Sequence, residues 1–312
     1  MKRIPVTLGA FSLFLLLTVA SCTSTLSDEP TTDTRAISFM PAADTRAAVT
    51  GTSLPDGSSF SVWGWYGTEG TITNNVFNRE TVTESGGAWT YGGGSRYWIA
   101  GNTYNFYAVY PAELPTDVKA DVSSDGTITV TNFDCSQTGD AAVDLMTATA
   151  TGITYTAEQT PQPVAMKFSH LLSKVNIVAT VEGGNATVTD ITFAGMVTKG
   201  GYSSQAGWTT PATATGSFTS SEKKVINATG VDLLGDLLLI PQAVTDQFKI
   251  KVNYTLDGVV QTPKEITLPT SIAQWEAGKN YKYTLTFKGD NIIFTVNVAA
   301  WNHSTGGIIT VE

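Results

Sequence analysis

Trp98-Ile-Ala-Gly101-Asn-Thr-Tyr104-Asn-Phe106-Tyr-Ala108-Val-Tyr110 and Trp275-Glu-Ala-Gly278-Lys-Asn-Tyr281-Lys-Tyr283-Thr-Leu285-Thr-Phe287 state one pattern twice, W-x-A-G-x-x-Y-x-[FY]. In each, a glycine interrupts the chain where a turn enters a strand. From the tyrosine onward, aromatic and apolar residues fall at every second position. That period of two predicts a strand with one face buried. A device used once in each half of the chain predicts two domains of similar build.

The rest of the composition agrees. The chain has 312 residues, enough for two cores, and only 14% are charged. Gly, Thr and Ser abound, and no long segment outside the N-terminus has helical apolar spacing. The fold class expected is all-β. Formal net charge is -9, with 18 Lys and Arg in all. Such a chain is a poor polyanion binder, which argues against nucleic acid as a partner.

The N-terminus reads as an address. Lys2 and Arg3 precede an apolar stretch from Leu8 to Ala20, which ends Val19-Ala20-Ser21-Cys22. This suits a signal peptide over 1–21 better than a membrane span. Small residues before a cysteine resemble a lipobox, in which Cys22 becomes the acylated first residue of the mature chain. The competing reading is an ordinary signal peptide. There are two cysteines. If Cys22 carries lipid, Cys135 has no partner and packs as a quiet thiol; the rival is a Cys22–Cys135 bridge.

Residues 22–36 are polar and read as a tether. Ile37-Ser-Phe39-Met follows as a short strand candidate, flanked by Thr34-Arg35-Ala36 and Thr45-Arg46-Ala47. Both arginines are candidate sites for a trypsin-like protease, against the plainer reading of two solvated side chains. A first domain is expected over 37–160 and a second over 161–312, divided where Pro161 and Pro163 cluster. Ser59 to Tyr66 predicts a strong strand, Asn75 to Thr83 a weaker one, and Thr147 to Pro163 a linking stretch. In the second half, strands are expected at 187–193, 216–219, 237–241, 248–256, 264–268, 281–287, 292–298 and 307–311.

Nothing in the sequence assembles into a catalytic or cofactor site. His170 and His303 are far apart, and no metal-ligand, nucleophile-elbow or phosphate-loop spacing occurs. Neither an enzyme nor a cofactor is expected. Asp121 to Asn132 offers oxygens at calcium-loop spacing, but Asn132 stands where the last ligand should be a glutamate. Asp125-Gly126 between strand-like runs predicts a hairpin instead. His170 beside Leu171 and Leu172 reads as a packed histidine bonding to backbone. Trp63, Trp65 and Tyr66 admit two readings, a stacking platform for sugar rings or core.

Taken in order, these pieces resemble the fimbrillin (Mfa-like) family of Bacteroidales, surface lipoproteins that include type V pilus subunits. The resemblance rests on the lipobox at Cys22, the arginines of the leader, and the stretch from Trp98 to Pro111. It rests further on Asp144-Leu-Met146, Phe168-Ser-His170-Leu-Leu172-Ser-Lys174-Val175, Leu239-Ile-Pro241-Gln242 and the stretch from Trp275. The resemblance implies two transthyretin-like β-sandwiches, a structural or adhesive role, and attachment to the outer membrane at the cell surface through a lipid anchor. The implied partners are other fimbrial subunits or surface ligands. It also implies that a protease cuts in the leader, at Arg46 or else Arg35, and removes the first strand. A strand from a neighbouring subunit then fills the groove. The candidate donors are Ile292, Phe294, Val296 and Val298, or Ile308 and Val311. A glycan-binding surface lipoprotein is the alternative.

Overall fold

The structure is a computed structural model, and it describes residues 35–42, 54–68, 70–211, 213–268, 271–289, 291–301 and 309–311. Cys22, Arg46, His303 and Ile308 lie outside them. Among the described residues the chain is strands and turns, with a single short 3-10 turn at Gly139–Ala141.

Six antiparallel strands form the first sheet. Their order is Phe168–His170, Met146–Thr154, Thr103–Tyr110, Ser59–Thr68, Thr71–Ser85 and Ala88–Tyr91. The first signature lies in its middle, and its alternation sorts side chains between two cores. Tyr104, Phe106 and Ala108 enter one cluster with Phe60, Val62 and Phe77. Tyr107 and Val109 enter another with Trp63 and Trp65. The middle of the sheet is therefore buried on both faces, where the period of two suggested one. Trp63 and Trp65 are core, and the exposed aromatic platform is not formed: Trp63 is 1% exposed. Tyr66 points to the other face and stacks on Tyr104, ring centroids 5.3 Å apart.

Met146–Thr154 corrects the reading of 147–163 as a linker. It pairs with Thr103–Tyr110 from Tyr110↔Met146 to Thr103↔Thr154. Its Met-Thr-Ala-Thr-Ala-Thr run does alternate, but after Met146 the inward residues are Ala148 and Ala150. Side chains so small give little hydrophobic signal, although Ala148 is buried opposite Ala108.

The second half is a two-sheet sandwich. One sheet runs Val231–Asp232, Ser173–Val181, Lys279–Lys288, Asn291–Ala300 and Ile309–Val311, with Leu237–Leu239 also on Ser173–Val181. Ser173–Val181 and the second signature strand are parallel over eight pairs, Lys174↔Asn280 to Val181↔Phe287. The facing sheet centres on Ala186–Val197 and Lys249–Leu256. Val175, Ile177, Tyr283 and Leu285 from one sheet meet Val188, Ile191, Phe193 and Val252 from the other, all nearly inaccessible.

The two halves share a sheet. Gly207–Thr209, Lys199–Ser203, Ile128–Asp134 and Lys119–Val122 form four strands in that order. Its middle pair joins Asp134 to Lys199 and Thr129 to Ser203. Lys119–Val122 and Ile128–Asp134 form the expected hairpin. Asp125 caps its turn, accepting hydrogen bonds from Ser123 Oγ and from the Thr127 N–H, the latter at 3.0 Å. Val164–Met166 and Phe168–His170, which follow residue 160, pair with strands that precede it.

Candidate functional site

The leader strand closes the first core with buried side chains. In Arg35-Ala-Ile37-Ser-Phe39-Met-Pro41 the apolar residues again alternate, and Ile37 and Phe39 are 1% and 2% exposed while Met40 is 45% exposed. Burying two such side chains contributes about 1.5–3 kcal/mol each. Phe39 packs edge-on against Phe77 and Phe106, with centroids at 5.1 and 5.3 Å.

The strand is held along both edges. On one, the Ile37 N–H donates to Arg96 O at 2.7 Å and the Trp98 N–H donates to Arg35 O at 3.0 Å. On the other, Phe39–Pro41 runs parallel to Val164–Met166 over three pairs. The Val164 N–H donates to Ser38 O at 2.7 Å, and the Ala42 N–H to Met166 O at 2.9 Å. Pro41 has no N–H to extend that ladder. The leader thus closes the first core but is joined to it by few backbone bonds.

A polar clasp lies over it. The Tyr91 hydroxyl donates to Ile37 O at 2.8 Å. Burial raises the Tyr91 phenol above its ordinary range, so it keeps the proton it donates. The Arg96 guanidinium sits 4.9 Å from the Phe77 ring centroid and pairs with Glu80 at 2.8 Å.

Of the expected site residues, Arg35 is exposed and its carbonyl is used by Trp98. A cut after Arg35 leaves Ile37 and Phe39 in the chain; a cut after Arg46 removes them. The donor candidates differ. Ile292, Phe294, Val296 and Val298 belong to Asn291–Ala300, which pairs with the second signature strand over ten residues, Lys288↔Asn291 to Lys279↔Ala300. Val296 is buried there. Ile309–Val311 is an edge strand paired over three residues, with Val311 opposite Val296.

Two other expectations meet in one place. His170 is buried, but it bonds a side chain and not the backbone: its Nδ1 lies 2.9 Å from Asp144 Oδ1. Its ring stacks on Trp301 with centroids 3.8 Å apart. Two of the short stretches behind the family resemblance, Asp144-Leu-Met146 and the one containing His170, are therefore in contact. Their separation in sequence hid this. Cys135 is a free, buried thiol pushed up to about 12 by burial, hence protonated and unreactive at neutral pH. Among the described residues, no cluster of His, Cys, Asp and Glu could hold a metal ion.

A fimbrillin-like family model matches residues 45–301. No curated protein sequence matches the chain. Among solved structures, a fimbrial protein from Bacteroides vulgatus is similar at 20% identity and a TM-score of 0.65, over 86% of this chain and 100% of the other. A candidate cell adhesion protein from Bacteroides uniformis is 19% identical with a TM-score of 0.57, over 86% and 100%. Another from Bacteroides ovatus is 17% identical with a TM-score of 0.55, over 83% and 92%. At these identities the likeness is one of fold.

Proposed function

This chain belongs to the fimbrillin-like family, and we propose that it is a structural subunit of a cell-surface fimbria, exported as a lipoprotein anchored through Cys22 and assembled by strand addition. The relatives named as fimbrial and adhesion proteins support the surface role. The observation that carries the assembly step is the leader strand. Ile37 and Phe39 fill a core that is otherwise complete, yet the strand pairs with Val164–Met166 over only three residues. Cleavage at Arg46 leaves an apolar groove between residues 96–98 and 164–166, with unpaired backbone groups on both sides. An incoming strand with apolar residues at alternate positions satisfies both needs at once. The candidate that contains Ile309–Val311 is the better donor of the two, because among the described residues that strand holds three pairs where Ile292 to Val298 would break many more.

The test is limited digestion with an arginine-specific protease, followed by gel analysis without boiling. Native protein is expected to pass from monomer to a ladder, and Arg46→Gln to remain monomeric while Arg35→Gln still polymerises. Cleaved protein that stays monomeric at high concentration overturns the polymerising role.

A further inference from the structure

A cleft of about 910 Å³ lies on the sheet shared by the two halves. It is lined by the turn 115–118, by residues of Ile128–Asp134, by Lys199 to Gly201, and by Thr209 and Pro211. Its floor has an irregular backbone. Phe133 pairs with Gly200 and Val130 with Tyr202, so Thr131 and Asn132 together face Gly201 alone. This is a β-bulge, a device that re-aims a side chain and that recurs beside binding sites. Asn132 sits at its centre with φ 59°, in the left-handed region that asparagine adopts more readily than other side chains. Its amide reaches across to the Asp117 carbonyl at 3.3 Å.

The groups around it are polar and mixed. Lys199 bonds Asp134 at 3.1 Å, and the Ser136 N–H reaches the same carboxylate at 2.9 Å. Burial works against Asp134's charge, but these hydrogen bonds outweigh it and hold the carboxyl below its ordinary value. Asp117, Thr131 and Gln137 add further polar groups to the lining. Carboxylates accept, the ammonium donates, and amides and hydroxyls do both. That mixture matches neighbouring hydroxyl groups, each of which donates and accepts. Two carboxylates against one ammonium disfavour an anion. Pro115 and Pro211 offer apolar walls for the C–H face of a ring. A peptide cannot add as a strand at the floor, because Ile128–Asp134 and Lys199–Ser203 are each already paired on both edges.

The geometry points to this cleft as a binding site for a neutral saccharide. It is independent of strand exchange, since the uncleaved monomer carries it whole. The test is affinity electrophoresis of the full chain through gels containing mannan, galactomannan or xyloglucan, with polygalacturonate and gelatin as the acidic and peptide arms. Retardation by at least one neutral polysaccharide is expected, and by neither of the other two. Asn132→Gly keeps the backbone conformation without the amide, and Asp117→Ala removes an exposed carboxylate. Each is expected to weaken binding tenfold or more with the melting temperature held. Free migration through every neutral gel, retardation by polygalacturonate or gelatin only, or equal retardation of native protein and both variants overturns the proposal.

Discussion

The two W-x-A-G-x-x-Y stretches build the same turn and close it differently. Gly101 and Gly278 have φ of 79° and 69°, a conformation that glycine adopts without strain. In the first copy the Tyr104 hydroxyl accepts the Ile99 N–H at 2.8 Å, and in the second Tyr281 accepts the Glu276 N–H at 2.8 Å. Two positions beyond the tyrosine they part. Tyr283 accepts the Trp275 indole N–H at 2.9 Å in a buried contact. Its counterpart is Phe106, which instead packs on Phe39 of the leader. The Trp98 indole nitrogen has no partner among the described residues. The second signature faces a full sheet, whereas the first is covered by a leader strand with a three-residue parallel pairing. One turn thus serves a core closed by full sheets in one case and a core closed by a short, briefly paired strand in the other.

The largest expected effect comes from the core beneath the leader strand. Phe39→Ala removes a ring from the cluster of Phe77 and Phe106, and a truncation of that kind costs about 3–5 kcal/mol. Urea denaturation measures the total, and amide hydrogen exchange locates it. Protection is expected to fall in Thr103–Tyr110 and to hold in Lys279–Lys288. Equal loss in both strands would break the contrast between the two cores.

Much of this contrast was legible in the sequence, but unevenly. The alternations at Phe60 and Val62, Tyr104 to Tyr110, and Tyr281 to Phe287 announce strands because large apolar side chains mark the period. Met146–Thr154 gives a weak signal because the inward residues that follow Met146 are alanines. Lys199–Ser203 and Gly207–Thr209 are hidden because glycines replace the side chains that would show alternation, so of the sheet joining the halves only the hairpin of Lys119–Val122 and Ile128–Asp134 is readable. The pairing of Phe39–Pro41 with Val164–Met166 joins segments over a hundred residues apart, and nothing in either segment specifies the other. The leader itself was readable from Ile37 and Phe39. The bulge at Asn132 was not, because asparagine there reads equally as a turn, a ligand or a surface residue.

A smaller effect tests the sealed core. Tyr283→Phe makes the second copy resemble the first at the position where they differ. Burial pushes the Tyr283 phenol up to about 12, so at neutral pH it is uncharged, and its oxygen accepts from Trp275. Deleting it leaves the indole N–H buried without a partner, at a cost of about 1–3 kcal/mol. The denaturation midpoint is expected to fall with an unchanged slope. A midpoint within error of the native protein would mean that the extra hydroxyl does not distinguish the two cores energetically.

The smallest effect is the one on which the likeness of the two turns depends. Tyr104→Phe and Tyr281→Phe each delete a hydroxyl that accepts a backbone N–H across five residues. A net loss of about 1 kcal/mol is expected from each. Burial raises both phenols, so neither oxygen is charged near neutral pH and neither bond gains strength from ionisation. The two tyrosines sit in separate hydrophobic clusters, so their losses are expected to add in the double variant. A loss confined to Tyr281→Phe would mean that the first turn is held by its aromatic packing, Trp98 on Tyr104 at 4.6 Å, and that the shared motif conceals two different sources of stability.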